Sequence, residues 1–240
     1  RVEVYDNAGN VEESTINVTT KEVTIEDALD ISDNQKVYVE IPNKKDPENT
    51  ILCNVLYNDE TNGLQIISVS TIETVYLSGI DQYNDVINIL NAKAEEYNYF
   101  GSKYVEARCV GCRPVKDEYL GYESGTGETN WWGHTMKNTD ENYSSDYNKM
   151  TALGIASTNT NYWLASRVVG SHSGYSNFVV RYVNVAGGLI TAANVGRVYN
   201  NSNTSGGGYT KSLRPVFTLK SGIKITGGDG SYYSPYSLGV

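Results

Sequence analysis

The feature that most constrains this fold is a long segment, residues 161–219, that begins and ends with an apolar run. It opens with Tyr-Trp-Leu-Ala-Ser-Arg at 162–167 and closes with Leu-Arg-Pro-Val-Phe-Thr-Leu at 213–219. Both runs read as buried strands, whereas the sequence between them is rich in Gly, Asn, Ser and Tyr and has no helical period. This pattern predicts a rigid β frame that displays loops, where binding residues commonly lie.

Composition favours a recognition surface and excludes nucleic acid as a partner. The chain has 240 residues and 39% apolar content, which allows one or two domains with a sizeable core. It has 20 Tyr against 3 Phe, and Tyr is favoured at contact surfaces, although amphipathic rings also pack in small β domains. The net charge is −9, and no basic cluster is present to bind phosphates.

Three cysteines, Cys53, Cys109 and Cys112, are too few for a disulfide scaffold. The Cys109–Cys112 spacing lacks the second ligand pair of a zinc site and the helix start of a redox site. A disulfide from Cys53 to either of the other two stays open. No run approaches the roughly 20 apolar residues of a membrane helix, so we predict no membrane insertion, no metal and no cofactor.

Three regions follow from the patterns along the chain. Residues 1–20 read as a hairpin, with Val2 and Val4 in one strand, a turn at 6–10, and Ile16 and Val18 in the second strand. Residues 21–35 read as a connector, and residues 36–240 as the main domain. The chain starts without Met and inside a strand-like pattern, which predicts that it belongs to a longer protein.

The main domain is predicted to contain an antiparallel meander and two helices. Strands are expected at 36–41, 50–57, 64–69 and 75–77. A long helix is expected at about 82–97, because its apolar residues recur at three- and four-residue steps, and a short helix at about 145–153. Residues 108–148 read as a loop that contains Trp132. This mixture of strands and helices predicts the α+β class.

This order of elements resembles the C-type lectin fold, with mixed and antiparallel sheets. More narrowly, it resembles the bacterial and phage-borne branch related to formylglycine-generating-enzyme-like domains. The resemblance spans about residues 35–235 and depends on four stretches: 52–57, 147–155, 162–167 and 213–221. Residues 1–20 resemble the last hairpin of a bacterial Ig-like repeat, which implies a stalk and surface display.

The resemblance implies a domain at a cell surface or a phage virion tip whose C-terminal loops bind ligands. Some relatives are variable proteins diversified by retroelements, which favour Asn, Tyr and Ser at exposed positions, and residues 171–177 and 199–203 have that composition. We therefore predict an extracellular adhesin or receptor-recognition domain, monomeric at the tip of a longer protein. Its ligand is expected to be an unknown protein or glycan on another cell or host surface.

The candidate ligand-binding residues follow from strand alternation and loop composition. In residues 177–184, alternation with one small irregularity is expected to bury Phe178, Val180 and Val183. The exposed positions are then 177, 179, 182 and 184. Arg167 and Arg214 are interpreted as structural. The candidates are Ser171, His172, Ser173, Tyr175, Asn177, Val179, Tyr182, Asn184, Asn194, Arg197, Tyr199, Asn200, Asn201 and Trp132.

Other functions were weighed against this prediction. The formylglycine-generating resemblance implies a copper-binding cysteine pair in the C-terminal half, but no cysteine follows Cys112. Residues 170–174 resemble a nucleophile elbow only superficially, because the central residue is His172. The motifs of calcium-dependent lectins are absent. We predict that the chain is not an enzyme; an enzyme and a ligand-free cap of an adhesin or pilus remain the alternatives.

Overall fold

Sheets dominate this fold. A computed structural model of the chain describes residues 2–5, 11–14, 36–59, 63–110, 113–115, 118–121, 127–129, 135–137, 160–171, 174–184, 189–199 and 204–240. Strands account for 51% of the chain and helices for 14%, with two mixed sheets. The α+β prediction with a long and a short helix is therefore wrong, because the described part has one helix packed on a mainly β structure. The short helix predicted at 145–153 lies outside the described residues.

The elements are numbered in chain order. The helix α1 spans Gly79–Glu95. The strands are β1 Val2–Tyr5, β2 Val11–Ser14, β3 Tyr38–Pro42, β4 Thr50–Asp59, β5 Gly63–Ser68, β6 Thr74–Leu77, β7 Val105–Cys109, β8 Arg113–Val115, β9 Glu118–Gly121, β10 Gly127–Thr129, β11 Thr135–Lys137, β12 Tyr162–Ser171, β13 Tyr175–Asn184, β14 Leu189–Tyr199, β15 Thr204–Ser205, β16 Tyr209–Ser212, β17 Pro215–Leu219, β18 Lys224–Gly227 and β19 Tyr236–Gly239.

The larger sheet has seven strands in the order β18-β19-β3-β4-β5-β17-β7. All its pairs are antiparallel except β19 with β3. All five residues of β17 are buried, which is the pattern of a strand covered on both faces. The first three strands of the predicted meander are present as β3, β4 and β5, but the fourth, predicted at 75–77, is β6 and belongs to the other sheet. The apolar run at 213–219 forms β17, an inner strand of the larger sheet.

The second sheet has six strands in the order β15-β14-β13-β12-β16-β6. Two irregularities shape it. Phe178 pairs with Gly196 but Val179 pairs with Asn194, so Val195 is an extra residue in β14. In β12, residues 164–166 oppose a single residue of β13. There Ala165 leaves the ladder and donates its N–H to the carbonyl of Val110, which ties the two sheets together.

The helix α1 packs between the sheets through one apolar stripe. Tyr83, Val86, Leu90 and Ala94 are buried on it, as the sequence periodicity predicts. The ring of Tyr83 meets the ring of Phe178 edge to face at 5.2 Å. The helix starts three residues before the predicted position: Ser78 is the N-cap residue with an extended backbone, and Gly79 follows with a φ of +80°.

Side chains of α1 also protect an edge of the larger sheet. The amide of Ala107 donates to the Glu95 carboxylate at 2.9 Å, and the amide of Cys109 donates to Asn91 Oδ1 at 3.0 Å. Both donors belong to β7, the last strand of the sheet. An edge strand whose amides are occupied is a poor template for pairing with another chain.

Several local predictions need correction. The N-terminal hairpin is present, but its second strand lies at Val11–Ser14 instead of around Ile16 and Val18. Residues 108–148, expected to be a loop, contain the short strands β8 to β11. Cys53 and Cys109 are buried free thiols, and Cys112 lies outside the described residues. Burial raises the pKa of the Cys109 thiol to about 12.

A charged cluster ties the β3–β4 turn to the end of α1. Lys45 Nζ lies 3.1 Å from Glu73 Oε2 and 2.7 Å from Glu96 Oε2, and 4.7 Å from the centroid of the Tyr97 ring. Lys93 also bonds Glu96 at 2.8 Å. The Glu96 carboxylate holds the pKa of Lys45 above its usual range, and Lys45 lowers the pKa of Glu96.

Replacing Lys45 by Met should lower the free energy of unfolding by roughly 0.5–1 kcal/mol, because partly exposed ion pairs are screened by solvent. Glu96 has a lowered folded pKa, so its contribution is complete above the ordinary value of 4.5 and is lost as pH falls through the folded value. Lys45 has a raised pKa, so its contribution is complete below 10.5. Urea unfolding of this variant and of the wild type at pH 7 and pH 3 measures the effect.

The control is Lys44→Met, which removes an exposed lysine from the same turn. The difference between Lys45→Met and the wild type should be present at pH 7 and shrink at pH 3, whereas Lys44→Met should match the wild type at both. An unchanged difference at pH 3 would show that Lys45 acts through packing and not through its charge.

Candidate functional site

The candidate residues of β13 and β14 lie on both faces of the six-stranded sheet. Phe178 and Val180 are buried toward α1, so Tyr175, Asn177 and Val179 belong to the opposite face by alternation. These last three side chains are half-buried. Arg197 lies directly opposite Asn177 in the ladder and shares that face. We call Tyr175, Asn177, Val179 and Arg197 the recognition face.

Arg197 is the centre of this face. Its Nε donates to Asn177 Oδ1 at 2.7 Å, and its guanidinium carbon lies 4.5 Å from the centroid of the Tyr175 ring. The hydrogen bond and the cation–π contact fix the plane of the guanidinium before any ligand arrives. Three predicted candidates from two strands are thus brought into one contacting group.

A cavity of about 360 Å³ opens beside Arg197. It lies where the start of α1 approaches the strands β14 and β15. Gly196 permits this approach, because a Cβ there would lie 3.2 Å from the carbonyl carbon of Gly79. Its lining residues are Ser78, Gly79, Ile80, Asp81, Gly196, Arg197, Ser205 and Gly206.

Charge and hydrogen-bonding groups are mixed in this cavity. Arg197 and Asp81 carry opposite charges, and Ser78 and Ser205 add hydroxyl groups. The Ser78 side chain makes no capping hydrogen bond, although its amide donates to Gln82 Oε1 at 2.6 Å. The cavity can therefore accept polar groups of either sign.

Two candidates lie on the other face of the sheet. Tyr182 is directly opposite Trp163 in the ladder, and their rings meet edge to face at 6.1 Å. Its ring packs on the core and carries Lys211 Nζ at 4.5 Å. Asn184 follows it by two residues and points the same way. The expectation that both share an exposed face with Asn177 is wrong, because a single alternation cannot expose positions 177 and 182 together.

The recognition face is buried at one end. Val183 and Tyr162 pair with each other on this side of the sheet, and both are fully buried. Burial raises the pKa of the Tyr162 phenol, against the lowering effect of Arg214. The burial of Phe178, Val180 and Val183 is confirmed, and the accessible part of the face is its Tyr175 end.

The remaining candidates are placed less fully. Asn194 is the ladder partner of Val179, and Tyr199 that of Tyr175, while Ser171 ends β12 opposite Ser176. His172, Ser173, Asn200, Asn201 and Trp132 lie outside the described residues. The residues around the cavity at 78–81 were not predicted as site residues. The glycine at 79 before a helical stripe was the available signal.

Neither a metal-ligand cluster nor a membrane-spanning helix is found within the described ranges. Their His, Cys, Asp and Glu side chains form no group of three or more that could hold a metal ion. No helix within these ranges has both the length and the apolar character needed to cross a bilayer. Comparison with protein-family models, with curated proteins and with solved structures found no match.

Proposed function

We propose that this chain is a ligand-binding domain displayed outside the cell, on a cell surface or a virion, and that it contacts its ligand through the recognition face. The observation that carries the proposal is the contacting group formed by Arg197, Asn177 and Tyr175, of which Arg197 also lines the 360 Å³ cavity. A protein or a glycan on another cell is the expected ligand. Diversification of the neighbouring loops by a retroelement stays a prediction from composition.

The residue types and their rigidity support binding. Arg and Tyr carry a large share of the energy in protein interfaces, because they combine contact area with hydrogen bonding. A side chain that is already held in its bound orientation loses little entropy on association. Arg197 meets this condition, because Asn177 and Tyr175 hold it from two sides.

The test is the double variant Tyr175→Ala/Arg197→Ala, with the labelled chain applied to panels of bacterial and animal cells in flow cytometry. We expect the half-saturating concentration on responsive cells to rise by at least about tenfold, because two anchors worth roughly 1–2 kcal/mol each are removed. Circular dichroism should be unchanged, since both side chains are half-buried at the sheet surface.

The matched control is Tyr99→Ala/Lys103→Ala, which removes an exposed tyrosine and an exposed cation from the loop before β7. This pair should bind cells as the wild type does. Equal binding by the Tyr175/Arg197 variant would remove the recognition face from the proposal. Equal loss in both pairs would indicate a general effect of surface charge and aromatic area.

A further inference from the structure

A second aromatic surface lies on the larger, seven-stranded sheet, in the turn between β18 and β19. Tyr233 is 95% exposed and Tyr232 is 53% exposed. Their centroids are 5.4 Å apart with the planes at 90°, and Tyr232 in turn meets Tyr38 at 5.2 Å and 84°. We call these three residues the tyrosine row; it steps outward from half-buried Tyr38 to Tyr233.

Hydrogen bonds hold the backbone of this turn in one shape. The amides of Asp229 and Gly230 both donate to the carbonyl of Ser234, at 2.9 and 3.0 Å. The amide of Ser231 donates to Asp229 Oδ1 at 2.9 Å, and that of Tyr38 to the carbonyl of Gly230 at 2.9 Å. The exposed rings therefore project from an ordered support.

Gly228 makes this support possible. Its φ is +86°, and a Cβ at this position would lie 2.0 Å from the carbonyl oxygen of Pro235. Gly228 and the backbone hydrogen bonds thus define the shape of the turn, and the Tyr233 ring is not needed to hold it. Burying a large apolar side chain stabilises a fold by roughly 1.5–3 kcal/mol, a gain that this chain forgoes at Tyr233.

The size of the surface favours a small ligand. Two aromatic side chains can cover at most roughly 300–500 Å², well below the approximately 800 Å² that each partner contributes to a stable protein interface. One or two sugar rings match this area. A pyranose has one face of C–H groups that packs on an aromatic ring, and hydroxyl groups around its rim.

The chemistry of the turn supplies partners for those hydroxyl groups. Asp229 and Ser231 are exposed in the same turn, and the amide of Ser231 holds the pKa of the Asp229 carboxyl below its usual range. The carboxylate is therefore ionised at neutral pH and accepts hydrogen bonds. With a net charge of −9 on the chain, an acidic sugar would be repelled and a neutral one would not.

We propose that the tyrosine row is a second, separate binding site that stacks a neutral sugar ring on Tyr233, with Asp229 accepting hydrogen bonds from the sugar hydroxyls. This site lies on the larger sheet and does not depend on the recognition face. It gives the domain a glycan contact in addition to its primary ligand.

The experiment uses the full chain, labelled and applied to a printed array of neutral and sialylated oligosaccharides. The neutral oligosaccharide that binds best is then titrated by calorimetry. Tyr233→Ala should weaken this affinity by about tenfold or more, as expected for a stacked ring. Tyr233→Phe keeps the ring and should stay within about threefold, and Tyr175→Ala/Arg197→Ala should bind the sugar as the wild type does.

Three results would overturn the proposal. The first is that no neutral oligosaccharide on the array binds the wild type. The second is that Tyr233→Ala binds as well as the wild type while circular dichroism shows both to be folded. The third is that Tyr233→Ala changes only binding to cells stripped of glycans, which would assign the tyrosine row to a protein partner.

Discussion

Trp163→Ala should lower the free energy of unfolding by about 3–5 kcal/mol, the range for removing a large aromatic side chain from a packed core. Trp163 is fully buried in the core between the sheets. Its Nε1–H donates to the carbonyl of Val75 at 2.8 Å, which links β12 to β6, the edge strand of the same sheet. The variant loses this hydrogen bond and the edge contact with Tyr182 as well as apolar contact.

Urea unfolding followed by far-ultraviolet circular dichroism measures this loss, because that signal comes mainly from the backbone and can be followed in a variant that lacks the tryptophan. Trp163→Phe keeps most of the apolar volume and should cost only about 1–2 kcal/mol. Tyr233→Ala is the surface control and should stay within roughly 0.5 kcal/mol of the wild type. A loss below 1 kcal/mol in Trp163→Ala would mean that β12 is not anchored by this side chain.

The elements predicted well are those whose pattern is set by burial on one face. The stripe of Tyr83, Val86, Leu90 and Ala94 gave α1, because only a helix brings residues at these spacings together. The run at residues 213–219 gave β17, which is buried along its length. In both cases the local pattern and the tertiary packing favour the same structure.

The prediction of the fold class was wrong where the sequence of a strand shows no apolar alternation. The strands β8 to β11 are three or four residues long and pair only with each other. Strands this short are recognised by their partners and not by their composition. The resemblance to a fold with two helices also favoured the α+β prediction, whereas 51% of the chain is strand.

The candidate site was partly predictable for a related reason. Tyr175, Asn177 and Arg197 lie on one face because β13 and β14 are regular at that end. The prediction placed Tyr182 on the wrong face of the sheet. It assumed an irregularity within β13, but the extra residue is Val195 in β14, so β13 keeps its alternation through position 184. A bulge in a neighbouring strand cannot be read from the strand itself.

Arg214→Met should lower the free energy of unfolding by about 2–4 kcal/mol, because hydrogen bonds to a buried charge are worth roughly 1.5–3 kcal/mol each and their loss leaves polar partners unsatisfied. Arg214 is 0% exposed. Its Nε donates to the carbonyl of Ser68 at 2.8 Å, and its Nη1 lies 3.4 Å from the Tyr162 hydroxyl. These contacts join the residue before β17 to the end of β5 and to β12.

Two opposing free energies decide this outcome. Transferring a guanidinium into the interior costs several kcal/mol, and its hydrogen bonds must offset that cost. Methionine removes both the desolvation cost and the hydrogen bonds. A higher free energy of unfolding in Arg214→Met would therefore show that the desolvation cost exceeds the contribution of the hydrogen bonds, and that Arg214 serves the specificity of the fold instead of its stability. Arg214→Lys separates charge from geometry: it keeps the cation but not the planar fork. We expect Arg214→Lys to lose at least as much stability as Arg214→Met, since a buried ammonium cannot reproduce the bonds to Ser68 and Tyr162 together.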